Sequence, residues 1–286
     1  MKNRHLLCVL PLILAACEQQ PEGEPVNRIV LGDAGEPNTV ENVPEEPDQQ
    51  ATDLITNSAC KESRFEGVPL KHCVADPSEQ QIEAYLEPLP GSDRTTVEDA
   101  YAAVIDNGEL VFMLNGGMVD SDQRPLGYFV QGGDRLAELN RADRDSGNFY
   151  LKPNGVFYGS GASWRILTTE RFFSTVRDRP AFGTQSGPML VIEGELHPEI
   201  QEDGPSRAIR SAVGVDEDGK AHFVISGEPL SFGRLARYFM DEVEATNALM
   251  LSSNRSALFN GQTGQTAKLR PGPVIVVRKR NSDFSL

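Results

Sequence analysis

The sequence predicts an α+β fold: a single domain with a mainly antiparallel sheet and a few packed helices. Three observations favour it. Short apolar runs of strand length recur along the chain. The breaks between them are rich in turn-forming residues, with 26 glycines and 19 prolines among 286 residues. Two longer stretches instead repeat their apolar residues at helical spacing.

The chain begins with a segment that resembles a lipoprotein signal peptide over residues 1–16. Lys2 and Arg4 precede the apolar stretch Leu6–Ala16, which is too short to span a bilayer. It ends in a bacterial lipobox pattern, so Cys17 is expected to carry lipid. A plain signal peptide with a chance cysteine is the alternative. Glu18 after this cysteine favours the periplasmic face of the outer membrane, again by resemblance to lipoproteins.

Residues 17–57 are predicted to form a disordered acidic tether. Between Glu18 and Asp53 there are ten acidic residues, one basic residue, five prolines and no aromatic residue. Such a composition cannot bury enough apolar surface to fold. The net charge of the chain is −15, and no basic stripe is present. We therefore exclude nucleic acid as a partner.

The domain is expected to span residues 58–286 and to open with a hairpin. Its strands are predicted around Phe65 and around His72-Cys73-Val74. Cys60 and Cys73 are the cysteines left after the signal and Cys17, and in an oxidising compartment they favour a disulfide. Two free thiols are the alternative. One cysteine pair with His72 offers too few ligands for a metal, so none is expected.

A helix over Thr96–Asn107 and a buried strand over Leu110–Leu114 come next. The strand leads into Asn115-Gly116-Gly117, where glycines permit close backbone approach. This turn is a candidate site edge, or a simple strand exit. Asn154-Gly155 between apolar runs predicts a hairpin, with Asn154 either structural or a ligand-binding group.

A polar cluster, Thr184-Gln185-Ser186-Gly187, leads through Pro188 into the apolar strand Met189–Ile192. Polar side chains held at the mouth of a buried strand are typical of binding sites. An ordinary polar loop is the alternative.

The remaining strands are predicted over Ser211–Val215, His222–Ser226, Ala248–Leu251 and Val274–Val277. Ser231 is placed to cap a helix. The apolar stripe of that helix comprises Phe232, Leu235, Ala236, Phe239, Met240 and Val243.

Arg210 lies in a stretch otherwise free of charge, between Ile209 and a strand of small residues. A guanidinium can hold phosphate through two parallel hydrogen bonds. A structural pair with a carboxylate is the alternative.

Several motifs occur in a fixed order. They are Asn115-Gly116-Gly117-Met118, Pro125-Leu126-Gly127, Gly147-Asn148-Phe149, Pro153–Phe157, Thr184–Leu190 and Ile209-Arg210 with Gly214-Val215. Together they resemble the phosphodiester glycosidase domain family, especially its bacterial members. The likeness runs from about Cys60 to Val277.

The resemblance implies hydrolysis of the bond between the anomeric carbon of a sugar and a phosphate oxygen, without a cofactor. The implied partner is a phosphorylated glycan or glycolipid. Carried over by motif, the catalytic candidates are Arg210, Asn115 and Ser252. The substrate-binding candidates are Gly116, Gly117, Asn154, Thr184, Gln185, Ser186 and Gly187.

The late family motif differs here. Where relatives have Leu-Asp-Gly-Ser, this chain has Leu251-Ser252-Ser253-Asn254. A serine cannot act as a carboxylate base. A second hypothesis is therefore a family member that binds phosphorylated glycans without cleaving them, and a third is a purely structural envelope lipoprotein. No HExxH spacing is present, and Ser186 has no convincing triad order.

Overall fold

The computed structural model describes residues 59–86, 110–144, 146–253, 256–260, 264–265 and 272–280. They belong to one compact unit over Asp48–Leu286. The predicted signal peptide, the lipidation site Cys17, the tether and the helix over 96–107 lie outside the described residues, and those expectations stay predictions.

The largest sheet has seven strands, and all its neighbouring strands are antiparallel. In spatial order they are β1 (Cys60–Phe65), β2 (Val68–Ala75), β13 (Ala221–Ser226), β12 (Arg210–Val215), β14 (Asn247–Ser253), β10 (Met189–Ile192) and β11 (Glu195–Leu196). The N-terminal hairpin therefore pairs with a strand about 150 residues further along the chain.

Two five-stranded antiparallel sheets complete the described fold. One has the order β16 (Gly264–Gln265), β15 (Leu258–Asn260), β4 (Leu110–Asn115), β17 (Val274–Lys279) and β3 (Gln80–Tyr85). The other has the order β6 (Asp134–Ala137), β5 (Phe129–Gln131), β9 (Phe182–Ser186), β7 (Gly155–Ser160) and β8 (Ser163–Thr168).

The three sheets share one apolar core. Phe223 of the large sheet lies with its ring centroid 5.4 Å from Phe112 of the second sheet and 5.9 Å from Phe157 of the third. All three rings are fully buried. Burial on this scale contributes roughly 1.5–3 kcal/mol per large side chain. The core thus fixes the strand ends of all three sheets relative to one another.

The fold is mainly β, which corrects the α+β expectation. Two α-helices occur among the described residues, α1 (Thr169–Thr175) and α2 (Phe232–Arg237). Ser231 caps α2 as predicted, accepting a hydrogen bond from Arg234 N. The apolar stripe does pack on the large sheet, but beyond Arg237 the chain continues as a π-helical turn over Tyr238–Glu242. The helical spacing therefore predicted correctly which residues are buried, but it overestimated the length of the α-helix.

The predicted N-terminal hairpin is confirmed as β1 and β2, and Cys60 and Cys73 form a disulfide across it. The predicted hairpin at Asn154-Gly155 was wrong. Residues Asn148–Tyr150 form a 3-10 turn rather than a strand, and β7 begins at Gly155 and pairs with β8 and β9. The Asn-Gly signal was overridden by these nonlocal pairings.

Candidate functional site

The ends of the motif-bearing strands meet on one side of the molecule. Asn115, at the end of β4, accepts a hydrogen bond on Oδ1 from Ala257 N at 3.0 Å. In the middle of β9, Thr184 Oγ1 donates to Gly116 O at 2.6 Å. The first and middle motifs are therefore in direct contact.

A serine cluster continues these contacts to the late motif. Ser186 Oγ donates to Leu251 O at 3.2 Å. Ser256 Oγ lies 3.3 Å from both Ser211 Oγ and Ser252 O. The structure thus brings Asn115, the polar cluster Thr184–Ser186 of β9 and Ser252 into one continuous network.

The polar cluster Thr184–Ser186 lies within strand β9 rather than in a loop, and its side chains bond to protein partners. Gln185 accepts on Oε1 from Tyr128 N and Asn140 N, and donates through Nε2 to Asn140 O and Thr169 Oγ1. Thr184, Gln185 and Ser186 are at most 2% exposed. In this structure they join strand ends, and a direct contact with substrate stays a prediction.

The motif glycines allow close backbone packing. A Cβ on Gly116 would lie 2.8 Å from Ile275 Cγ1, and one on Gly117 would lie 2.6 Å from Thr184 Oγ1. A Cβ on Gly187 would lie 2.8 Å from Asn154 Cβ. Real Cβ atoms do not approach so closely, so these glycines are required by packing. Any role for them in binding substrate stays a prediction.

Asn154 is 2% exposed, and its Nδ2 donates to Phe149 O at 2.9 Å. This bond holds the 3-10 turn beside the start of β7. It favours the structural alternative for Asn154, and the ligand role stays a prediction.

Arg210, at the start of β12, is 1% exposed and surrounded by neutral acceptors. Its Nε donates to Leu230 O at 3.1 Å. One terminal nitrogen contacts Met250 Sδ and Ser253 Oγ, and the other donates to Ser206 O and Oγ. The guanidinium nitrogens already bond to protein groups, so the pair of parallel hydrogen bonds to phosphate is not preformed and stays a prediction.

The charge of Arg210 has no carboxylate partner among the described residues. The ring of Phe232 covers the guanidinium at 3.6 Å from its centroid. Burial lowers the pKa of Arg210 from its usual value to about 10. A shift of this size corresponds to a cost on the order of 3 kcal/mol for keeping the charge buried. The predicted alternative, an Arg–carboxylate structural pair, is therefore wrong for the described structure.

A first cavity, of about 180 Å³, adjoins Arg210. We call it the Phe232 cavity. It is lined by Leu151, Glu199, Ile200, Gln201, Gly204, Pro205, Ser206 and Phe232. Because Ser206 and Phe232 both contact the guanidinium, a ligand here would be one contact away from the buried charge.

A second cavity, of about 200 Å³, adjoins the serine cluster. We call it the Ser256 cavity. It is lined by Glu62, Pro69, Leu70, Lys71, Ile209, Ile225, Ser226, Gly227 and Ser256. Lys71 and Glu62 were missed by sequence reasoning, because only the pairing of β2 with β13 brings the N-terminal hairpin here.

Two groups of the site keep unused hydrogen-bonding capacity. Ser252 is 4% exposed, and its Oγ makes no hydrogen bond within the described part of the chain. Asn115 uses its Oδ1, while its Nδ2 has no described partner. Both can therefore donate to a ligand without breaking an existing contact.

Within the described ranges, no group of three or more His, Cys, Asp or Glu side chains is arranged to hold a metal ion. The helices in those ranges are also too short and too polar to cross a membrane.

The fold and its site define a class of protein. The model of the phosphodiester glycosidase family matches residues 108–263, more than half of the chain. The chain belongs to this family, and the resemblance recognised in its motifs is confirmed.

The chain is also similar to particular proteins. The uncharacterized protein YigE of Escherichia coli (strain K12) is 29% identical over 184 residues, which cover 64% of this chain and 71% of that protein. Among solved structures, the catalytic domain of zebrafish N-acetylglucosamine-1-phosphodiester alpha-N-acetylglucosaminidase, auto-inhibited by its pro-peptide, is similar with 15% identity. Its TM-score is 0.49, with coverage of 77% of this chain and 82% of that one.

A hypothetical protein from Synechocystis has 16% identity and a TM-score of 0.48, covering 77% of this chain and 61% of its own. A putative exported protein from Burkholderia pseudomallei K96243 has 10% identity and a TM-score of 0.49, with 74% of each chain covered.

Proposed function

We propose that this protein is an envelope hydrolase that cleaves the bond between a sugar C1 and a phosphodiester oxygen. Family membership supports a hydrolase-type role. The observation that carries the proposal is the buried charge of Arg210, which no described carboxylate neutralises, beside the converging motif ends. A phosphodiester is a monoanion, and one bound there would offset the cost of burying one cation.

The charge of Arg210 would reach the substrate through serine hydroxyls. Ser206 Oγ and Ser253 Oγ each accept a hydrogen bond from the guanidinium, at 3.0 and 3.3 Å. Their own O–H groups remain donors, and accepting from a cation strengthens them. Donors fixed in advance around a phosphate stabilise the negative charge that develops as it leaves.

The reaction needs little general-acid catalysis, because a phosphate is already a good leaving group. Water adds its oxygen to C1 while the C1–O bond breaks, and the bonding electrons leave on the phosphate oxygen. The water proton passes to solvent, because Ser252 cannot accept it as a carboxylate would. Charge stabilisation on the phosphate is the main requirement, and it is what the Arg210 environment offers.

Turnover of an N-acetylglucosamine phosphodiester by the full chain in detergent tests this proposal. We expect release of free sugar and at least a 100-fold lower kcat/KM in Arg210→Met, the loss typical of one removed charge-stabilising group. Arg207→Met, which removes an exposed arginine, serves as the matched control. Equal rates for wild type and Arg210→Met would remove Arg210 from the mechanism.

A second candidate function is binding of phosphorylated glycans without cleavage, and the serine at position 252 favours it. In that case the same compound binds saturably and releases no sugar. Ser252→Asp then creates turnover, since the carboxylate expected in the family is restored. A well-folded Ser252→Asp variant that binds and stays inactive would count against this interpretation.

The proposed location is the envelope, by a lipid on Cys17 and the acidic tether, with a phosphorylated glycan or glycolipid as partner. This part is supported by the sequence of residues 1–57 alone.

A further inference from the structure

The large sheet carries a row of directly opposed residues that links the serine cluster to the N-terminal hairpin. Ser252 on β14 is opposite Ser211 on β12, and Ser211 is opposite Ile225 on β13. Ile225 is opposite Lys71 on β2, and Lys71 is opposite Glu62 on β1. Opposed residues of an antiparallel sheet share one face, so the row is a continuous strip along that face. The strip is buried at Ser252, Ser211 and Ile225 and becomes exposed towards Glu62.

The strand spacing sets the distance between Lys71 and the serine cluster along this strip. Neighbouring strands lie about 4.8 Å apart, so Lys71 lies two strands, or about 10 Å, from Ser211. Lys71 and Ser256 both line the Ser256 cavity, and Ser256 also contacts Ser211 and Ser252 O. If a ligand binds with its phosphate at the serine cluster, the opposite end of that ligand would therefore lie within reach of Lys71.

Lys71 has a partner that is easily displaced. Its Nζ lies 3.1 Å from Glu62 Oε1, with 17% of the Lys71 side chain exposed and 73% of the Glu62 side chain. A pair with so exposed a carboxylate is worth about 0–1 kcal/mol. An anion in the cavity can compete with Glu62, which would then swing into solvent. The apolar side chains of Ile209 and Ile225 line the space between.

We propose that Lys71 is a specificity-determining residue of the hydrolase, binding a second negative charge carried by the acceptor half of the diester. The substrate class is then a sugar phosphodiester whose acceptor has an anionic group, a carboxylate or a further phosphate, about 10 Å from the phosphate across an apolar spacer. The inference rests on the proposed function and takes the scissile phosphate to lie at the serine cluster, whose Ser211 and Ser252 are the chain neighbours of Arg210 and Ser253.

Two matched diesters test it with the full chain in detergent. Both carry N-acetylglucosamine-1-phosphate; one is esterified to hexanol and the other to 6-hydroxyhexanoic acid. We expect wild type to have about 10-fold higher kcat/KM for the carboxylate compound, equivalent to one modest ion pair. Lys71→Met removes this preference by lowering kcat/KM about 10-fold more for the carboxylate compound than for the hexyl compound.

Two further variants separate specificity from folding. Glu62→Gln removes the competing carboxylate, so the preference for the carboxylate compound stays or rises. Lys61→Met removes an exposed lysine of the same hairpin and leaves the preference unchanged. Thermal unfolding midpoints show that each variant is folded.

Equal kcat/KM of wild type on both compounds overturns the inference, as does an equal loss on both in Lys71→Met. If neither compound is cleaved, the hydrolase proposal fails. Calorimetric binding of the same two compounds then tests whether Lys71 binds the second anionic group. Tighter binding of the carboxylate compound that is lost in Lys71→Met still supports the subsite. Binding of neither compound, or of both equally, rejects it.

Discussion

Arg210 illustrates how one residue can join stability and function. A buried cation normally has a carboxylate beside it, and replacing the whole ion pair by well-packed apolar groups is often neutral or stabilising. In the described chain, Arg210 has backbone, hydroxyl and thioether acceptors instead. The fold therefore carries a charge that a bound anion would complement, and this is the physical link between the fold and the proposed chemistry.

His72 belongs to a second buried network at the residue scale. His222 Nε2 lies 2.9 Å from Asp216 Oδ2, and His222 Nδ1 lies 2.9 Å from His72 Nε2. Tyr238 Oη lies 2.9 Å from His72 Nδ1. When His222 donates to Asp216, its other nitrogen accepts from His72, and Tyr238 donates to the far side of His72. The hydrogen bond donated by Tyr238 requires an unprotonated Nδ1 and therefore a neutral His72.

The environment of His72 predicts acid-sensitive stability. Burial, then His222 and Lys61, lower its pKa from 6.5 to about 4. The unfolded chain takes up the proton first, so stability is fully present above about pH 6.5 and is lost as the pH falls towards 4. The loss from this residue is about 3 kcal/mol.

Urea unfolding of wild type and His72→Gln at pH 7.5 and pH 4 measures this contribution. We expect the variant to lose about 3 kcal/mol less than wild type between these two values. Parallel losses in the two proteins would show that His72 is not the acid-sensitive group.

Among the elements, the N-terminal hairpin matters most for the proposed substrate specificity. It lies outside residues 108–263, where the family model matches, yet β2 pairs with β13 along six residues and brings Lys71 to the Ser256 cavity. The Cys60–Cys73 disulfide joins the two strands of the hairpin at its open end. The element that was easiest to predict locally therefore supplies a site residue that no motif indicated.

The disulfide should be a main source of stability for this hairpin. It joins residues separated by 13 positions. Closing a loop of this size stabilises a fold by about 3 kcal/mol. The double variant Cys60→Ser/Cys73→Ser is expected to lose that much free energy of unfolding in urea.

Wild type measured with reductant is the control and should show the same loss as the double variant. The preference attributed to Lys71 should also weaken, because β2 is then held by β13 and β1 alone. A loss below about 1 kcal/mol would mean that strand pairing suffices to hold the hairpin.

At the scale of the whole molecule, charge is distributed unevenly along the chain. Residues 18–53 hold ten of the 42 acidic residues and one of the 27 basic ones, so nine of the fifteen net negative charges belong to the predicted tether. A tether of this composition is expected to be extended by self-repulsion. It would hold the catalytic domain away from an anionic membrane surface while the lipid keeps it there.

Fractionation of cells that produce the full chain tests the anchor. We expect wild type in the membrane fraction and Cys17→Ala in the soluble fraction, because removing the lipid leaves nothing else in residues 1–57 to insert stably. Cys8→Ala, within the predicted signal peptide, is the matched control and should behave as wild type. Membrane association of Cys17→Ala would refute lipidation at this position.

The sequence by itself determined much of this protein. Short apolar runs located β4, β10, β12, β13, β14 and β17, because alternation and length are local properties of the chain. Ordered motifs identified the family, and they supplied the candidate site residues. Composition also identified the disulfide, since two cysteines remained for an oxidising compartment.

Tertiary structure alone decided the rest. The polar cluster Thr184–Ser186 is a buried part of β9 because distant elements supply its hydrogen-bond partners. Arg210 acquired neutral neighbours from positions 4 to 43 residues away in sequence. The strip from Ser252 to Glu62 exists because five strands pair in one register. Such pairings depend on the packing of the entire core, and no local pattern encodes them.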